Sequence, residues 1–438
     1  MTSAFDRILA GVGEAPGTAF LVAASGGADS AVAAAIVQRL AGEGSVRLIH
    51  LDHGLPASGT MADVAAKLAR HLDLPLDRVV LEIGPGSWES TARKARLAAL
   101  AAAAEPGELI VTGHHADDVA ETTLGHLMRG AGARGLSSLR ERSGRYWRPL
   151  HGVGRDDIRA TADELGLPYA DDPQNLDLSF KRNVIRHEMI PAMEQLNPRV
   201  REALARTAAH LGDDEDELER TAGQVPITWD RGAWVIPRPL LATLPRPVAR
   251  RAIGAAVRKF HPPYGPSTAE LGRLEAVLTG AAARTELASG VVAVREGPML
   301  AIFRRGELPS PPKAVGLTVP GAARFGPDLV TATRALMPPR PRFGRAVLKA
   351  EAVGDDLAVR SPVPGDEVDV GGRSRPVRDM LRSIGVPERH RPGWPLVTAH
   401  GKIAWVVGAR AAAWAGGATA DVVVVACGRT GGWTTRES

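Results

Sequence analysis

Ser25-Gly26-Gly27-Ala28-Asp29-Ser30 stands between Ala19-Phe20-Leu21-Val22-Ala23-Ala24, a short apolar run, and Ala31 to Leu40, a run of helix formers. The pattern predicts a strand, a tight turn and a helix. Two adjacent glycines let the turn bend sharply and let a ligand approach the backbone with no Cβ in the way. The helix that follows offers unpaired N–H groups and the positive end of its dipole, which suits a phosphate. Ser25 and Ser30 add hydroxyls. Asp29 repels a bare phosphate, so its presence makes sense if Mg2+ bridges the two. The Gly-Lys-Ser/Thr ending of a Walker A loop is missing. A Gly-Ser turn with an Asp at a helix start is common by itself. The strand before this one and the helix after it set it apart.

The same alternation continues outward. Ser45 to Leu51 is an apolar run that ends in His50-Leu51-Asp52-His53-Gly54, and polar residues massed at the carboxyl end of a strand lie where open α/β sheets bind ligands. Met61 to His71 reads as a helix and Arg78 to Ile83 as a strand. Trp88 to Ala104 is helical and carries Arg93, Lys94 and Arg96 in one turn, either a solvated face or a contact to nucleotide phosphates. Glu108 to Thr112 is a strand, followed by Gly113-His114-His115-Ala116-Asp117-Asp118-Val119-Ala120-Glu121-Thr122. Asp117 and Asp118 open a helix, where acids suit the dipole. Asp118 and Glu121, three apart, share one face and can hold an ammonium group or a metal, or take a proton. Arg129 to Leu139 is glycine-rich and basic, a mobile surface loop by composition. Trp147 to Leu150 reads as a last strand and Arg155 to Gly166 as a helix, then an Asx-rich turn at Asp171 to Asn175 feeds the basic helix start Phe180 to His187. Strands alternating with helices predict an α/β fold with a doubly wound, mostly parallel sheet over residues 1–212.

Past Asn197-Pro198 the pattern changes. Leu240 to Lys259 and Thr268 to Leu278 read as helices and Val291 to Phe303 as a strand, giving a mainly helical middle domain over 213–309. Pro309-Ser310-Pro311-Pro312 is a linker, and short β runs with a basic helix at Arg375 to Ile384 predict a small α+β C-terminal domain over 310–438. Residues 1–200 hold 21 basic and 25 acidic residues, whereas 251–350 hold 15 and six, so the basic excess lies in the second half and suits a nucleic-acid partner. Cys427 is the only cysteine, which excludes an internal disulfide and paired-thiol chemistry and points to a reducing compartment. Met1 to Ala10 lacks the apolar core of a signal peptide, and no apolar run reaches the length of a membrane span; a cytoplasmic protein is expected.

The loop Ser25–Ser30 resembles the Ser-Gly-Gly-x-Asp-Ser pyrophosphate-binding loop (PP-loop) of the ATP pyrophosphatase superfamily. Taken with His50 to Gly54, Glu89 through Arg93, His114-His115-Ala116-Asp117-Asp118 with Ala120-Glu121-Thr122, and Asp172-Pro173, Asn175, Arg182-Asn183, Ile185-Arg186, the chain resembles the tRNA(Ile)-lysidine synthetase family. Arg360, Pro364-Gly365-Asp366, Arg375, Arg378, Arg389 and Trp405 to Arg410 resemble that family's C-terminal domain. Leu97, Gln174 and Gly125-His126 depart from the pattern.

The resemblance implies a ligase that activates the wobble cytidine of tRNA(Ile) with a CAU anticodon by adenylation at O2 and then attaches the ε-amine of free L-lysine at C2, releasing AMP and pyrophosphate. It implies ATP contacts at Ser25, Gly26, Gly27, Ala28, Asp29, Ser30, Asp52 and His53, with Asp29 as an Mg2+ ligand. Arg93 then serves the α-phosphate, and Asp118 and Glu121 serve lysine, one of them as base. His114, His115, Arg182, Arg186 and Arg378 are expected nucleotide or tRNA contacts. Whether the chain works as a monomer or a homodimer stays open. Two rivals remain: another tRNA-modifying enzyme of the superfamily with a different nucleophile, and an inactive nucleotide- or tRNA-binding module. A thiolating relative needs cysteines that this chain lacks.

Overall fold

A computed structural model describes residues 3–42, 44–54, 58–82, 88–260, 262, 265–336, 340–417 and 421–429. The chain divides into two compact units, at Glu217 and Leu218.

The first unit is built on a six-stranded sheet of order β3-β2-β1-β4-β6-β5. Its strands are β1 (Phe20–Ala23), β2 (Val46–Asp52), β3 (Leu76–Val80), β4 (Leu109–Val111), β5 (Arg142–Ser143) and β6 (Tyr146–Trp147). All neighbours pair in parallel except β5 and β6. The helices are α1 (Ala4–Val12), α2 (Ala28–Ala41), α3 (Ser58–His71), α4 (Trp88–Ala103), α5 (Ala116–Leu127), α6 (Ala133–Leu136) and α7 (Arg155–Glu164). Successive β1 side chains enter different cores. Phe20 and Val22 pack with Val32, Ile36, Leu48, Trp147 and Ile158, whereas Leu21 packs with Ile49, Leu51, Leu100 and Ile110. A strand buried on both faces reads as a continuous apolar run, which is why Phe20 to Ala24 shows no alternation.

The expected strand Arg78–Ile83 ends at Val80, and Ile83 lies outside the described residues. The stretch Arg129–Leu139, expected as a loop, contains α6. Thr123 Oγ1 donates to the Leu136 carbonyl at 3.2 Å and Ser137 Oγ to the Ala133 carbonyl at 2.9 Å, so short side chains order what composition alone reads as mobile. After α7 come α8 (Lys181–Val184), a π-helical stretch Ile185–Met189, α9 (Ile190–Glu194) and α10 (Val200–Ala222). The division between units falls inside α10, a few residues past the expected boundary.

The second unit starts with a five-stranded antiparallel sheet, β7 (Thr228–Asp230), β8 (Ala233–Pro237), β9 (Arg284–Glu286), β10 (Val291–Glu296) and β11 (Met299–Arg304). Against it pack α12 (Arg246–Arg258) and α13 (Thr268–Thr279), after a short α11 (Arg238–Thr243). The expected helix Leu240–Lys259 is therefore two helices, broken where Pro245 withholds an N–H. The expected strand Val291–Phe303 is a β10–β11 hairpin turning at Gly297-Pro298. Beyond Pro309–Pro312, two four-stranded sheets share a core around Trp394 and Trp405, both fully buried. Among the described residues no helix is long and apolar enough to cross a membrane.

Candidate active site

In the sheet of the first unit, β1 is followed by a connection to β2 on one side and lies beside β4 on the other. That reversal opens a crevice at the carboxyl ends of the strands, where open α/β sheets take ligands. Four post-strand segments converge there. Gly26 turns the chain out of β1 with φ 91°, and a Cβ on it would sit 2.8 Å from the Met61 carbonyl oxygen. Gly27 caps α2 with an ordinary φ of −88°, and a Cβ there would meet nothing nearer than Ser25 Oγ at 3.6 Å. Gly26 is thus required by the backbone, whereas Gly27 leaves room beside the helix start for a ligand. Ser30, buried, ties the loop: its Oγ accepts from the Ser25 N–H at 3.1 Å and donates to the Gly27 carbonyl at 2.9 Å. Gly113, after β4, packs so closely under α2 that a Cβ would stand 2.7 Å from the Asp29 carbonyl. The Ala170 N–H donates to the Gly26 carbonyl at 2.9 Å, drawing the segment that carries Asp171 and Asp172 onto the loop.

The result is a cavity of about 800 Å3. Ser25, Gly27, Ala28, Asp29, Ser30, His53, Arg93, His114, Asp118, Arg182 and Arg186 all line it. Seven arginines face four aspartates along its wall, an excess of positive charge that suits a polyanion. Of the expected contacts, Gly26, Asp52, His115 and Glu121 do not reach the wall. Asp52 accepts from the Gly54 N–H at 2.8 Å and shapes the turn after β2. Arg378 lies in the second unit on the short helix Val377–Ser383, with its side chain 83% exposed.

Asp118 and Glu121 meet on one face of α5, as their spacing predicts, but the face is occupied by two guanidinium groups. Arg182 donates to Asp118 at 2.5 Å and to Glu121 at 2.9 Å. Arg186 donates to Glu121 at 2.6 and 2.9 Å and to Asp118 at 3.2 Å. Burial alone would push the Asp118 carboxyl up, but Arg182 above all, with His115 and Arg186, outweighs it and holds it well below the ordinary carboxylate range. Burial likewise opposes the Arg182 charge, and Asp118 and Glu121 more than restore it.

His115, fully buried, stands 3.3 Å from Asp117, 3.6 Å from Asp118 and 3.7 Å from Asp29. Burial disfavours its charge, yet these three carboxylates prevail and raise its pKa. It sits behind the cavity wall, tied to these carboxylates, rather than acting as a ligand contact. His114 faces the cavity as a neutral imidazole, pushed down to about 3 chiefly by burial, with Nδ1 2.8 Å from Thr112 Oγ1. Asp29 is raised by burial and by Asp118 against the pull of His115. The sequence reading passed over Arg148, Arg155 and Arg159, which also line the cavity. Arg148 follows β6 and Arg155 opens α7, so the rule that ligands gather at carboxyl ends of strands points to the first of them.

Residues 1–193 match the model of the PP-loop domain, and residues 357–425 that of the TilS substrate C-terminal domain. The tRNA(Ile)-lysidine synthase of Symbiobacterium thermophilum is 34% identical over 439 residues, covering 90% of each chain. That of Thermobifida fusca is 38% identical over 262 residues, 58% of this chain and 81% of the relative. A glycine-bent loop at the switch point of a parallel sheet, in a basic cavity, marks an ATP-using enzyme of the PP-loop class. Within that class, the chain belongs to the tRNA(Ile)-lysidine synthase family.

Proposed function

We propose that the chain forms lysidine on tRNA(Ile) by joining free L-lysine to C2 of the wobble cytidine of a CAU anticodon, in two steps within the one cavity. In the first, the cytidine O2 attacks the α-phosphorus of ATP and the bond to the β-phosphate breaks, releasing pyrophosphate. In the second, the lysine ε-amine, having lost a proton, attacks C2; the C2–O2 bond breaks and AMP leaves with O2. The observation that carries this reading is that the Ser25–Ser30 loop and the acidic Asp118 face one cavity large enough for a nucleotide and an acceptor together.

The loop receives the β- and γ-phosphates on the N–H groups at the start of α2, where Gly27 leaves space. Arg93, exposed at the rim, meets the α-phosphate, where charge develops as pyrophosphate leaves. Asp29 suits Mg2+. Its side chain lines the cavity beside the loop, and a carboxylate there would hold Mg2+ together with substrate phosphates. Mg2+ held there would offset phosphate charge. Asp118 takes a lysine ammonium group directly, while Glu121 behind it fixes Arg182 and Arg186. Because the Asp118 carboxyl is held so low, it is a weak base; it orients the amine rather than stripping its proton. His114 offers a neutral imidazole to the acceptor base. Arg378 and the basic second half grip tRNA phosphates, which position the substrate without reading its sequence. We place the reaction in the cytoplasm, where Cys427 stays reduced. The test is pyrophosphate release that requires the tRNA and passes beyond one equivalent per enzyme only when lysine is also present. Release with lysine but no tRNA, or full turnover without lysine, would contradict the two-step scheme.

A further inference from the structure

Arg148 and Arg96 have no role in the steps above, and their setting calls for one. Arg148 is 8% exposed at the end of β6. It donates from Nη1 to the Arg140 carbonyl at 2.7 Å, and its Nε is buried without a hydrogen-bond partner. Its guanidinium lies 5.8 Å from the Tyr146 ring centroid. Arg96 on α4 also lines the cavity, whose carboxylates pair elsewhere among the described residues, Asp118 with Arg182 and Arg186 and Asp171 with Arg159. Burial and the neighbouring charge of Arg93 weaken both cations, Arg96 down to about 10. The contrast with Arg182 and Arg186 is plain, since those two share Asp118 and Glu121. A buried guanidinium without an opposite charge is expensive, so the missing anion has to come with a ligand.

Three anions enter this cavity on the reading above: the phosphates of ATP, a phosphate of the RNA and the carboxylate of the amino acid. The ATP loop follows β1, and β6 lies two strands away across the sheet, on the order of 10 Å. An RNA phosphate carries chain on both sides and does not suit an arginine this deep. A free amino acid ends in its carboxylate, and a planar guanidinium fork matches that group. Asp118, which follows the intervening strand β4, is close enough to act electrostatically on Arg96, so acid and base stand in reach of the two ends of one zwitterion.

We propose that Arg148 and Arg96 bind the α-carboxylate of the free amino acid substrate, so that the site selects an amino acid over a simple diamine. This rests on lysine being the substrate. The experiment compares lysine with 1,5-diaminopentane, its decarboxylated form, using the full chain, ATP, Mg2+ and tRNA(Ile) transcript. In the wild type the KM for the diamine is expected to exceed that for lysine by roughly 10- to 100-fold. Arg148→Gln raises the lysine KM by a similar factor and leaves the KM values for the diamine, ATP and tRNA within about twofold, so that its discrimination is lost. Arg96→Gln is read in the same way if Arg148→Gln melts below the assay temperature. Equal wild-type KM values for the two amines overturn the proposal. So does a variant whose KM rises equally for both amines, or rises for ATP or tRNA instead, because the anion is then a phosphate. If the wild type attaches neither amine to tRNA, the lysine reading itself has failed and the carboxylate site falls with it.

Discussion

At the scale of single residues, two adjacent glycines do different work. Gly26 sits at φ 91° against the Met61 carbonyl, so Gly26→Ala is expected to destabilise the first unit by about 1–3 kcal/mol, read as a lower melting temperature. Gly27 has an ordinary φ and open space, so Gly27→Ala should melt like the wild type. Its kcat/KM for ATP should nevertheless fall roughly 100-fold, because the added Cβ displaces the phosphates. The sequence showed both glycines but not this division, which depends on where Met61 ends up. Asp118→Asn should retain ATP binding while kcat/KM for lysine falls on the order of 100-fold, read by lysine incorporation into tRNA. Normal incorporation would remove Asp118 from the role assigned to it. His114 and His115 illustrate what a motif cannot say. They are adjacent, yet one faces the cavity and is kept neutral by burial, and the other lies among three aspartates that raise its pKa.

At the scale of elements, the parallel sheet was legible because β1, β2 and β4 are apolar runs separated by helix formers and ended by polar residues. The ends of elements and their breaks were less so. Pro245 splits one expected helix into α11 and α12, and Gly297-Pro298 folds one expected strand into a hairpin; both signals stood in the sequence inside longer favourable runs. The ion pairs that hold elements together were not legible at all, since they join residues far apart in sequence. Glu275 on α13 receives both Arg246 and Arg250 from α12, at 2.7–2.9 Å. Hydrogen bonds from these two arginines lower its pKa from 4.5 to about 2. A depressed carboxylate stabilises the fold fully above its unfolded pKa and loses that contribution as the pH falls through the folded one. The melting temperature of wild type should therefore exceed that of Glu275→Gln at pH 7, and the gap should close between about pH 4.5 and 2. A gap that stays constant over this range would show that the pairing does not depend on the Glu275 charge.

At the scale of the whole molecule, the sequence separated an acidic first part from a basic second part, and the structure divides the chain near the same place. The acidic part nevertheless contains a basic cavity, because arginines converge on it from β6, α4, α7 and α8. If tRNA is gripped through phosphates, its KM should rise on the order of 100-fold between about 50 and 200 mM salt, whereas the KM for lysine should change little. A salt-independent tRNA KM would argue for recognition through bases alone. The most direct test of the central claim is to supply ATP, Mg2+, labelled lysine and a tRNA(Ile) transcript with a CAU anticodon, and to map the label on the RNA. Stable, alkali-resistant label at the wobble cytidine, with one AMP and one pyrophosphate per lysine, is the predicted result. ATP cleaved to AMP and pyrophosphate with no lysine on the RNA would contradict it, and would leave the loop and its cavity serving another nucleophile.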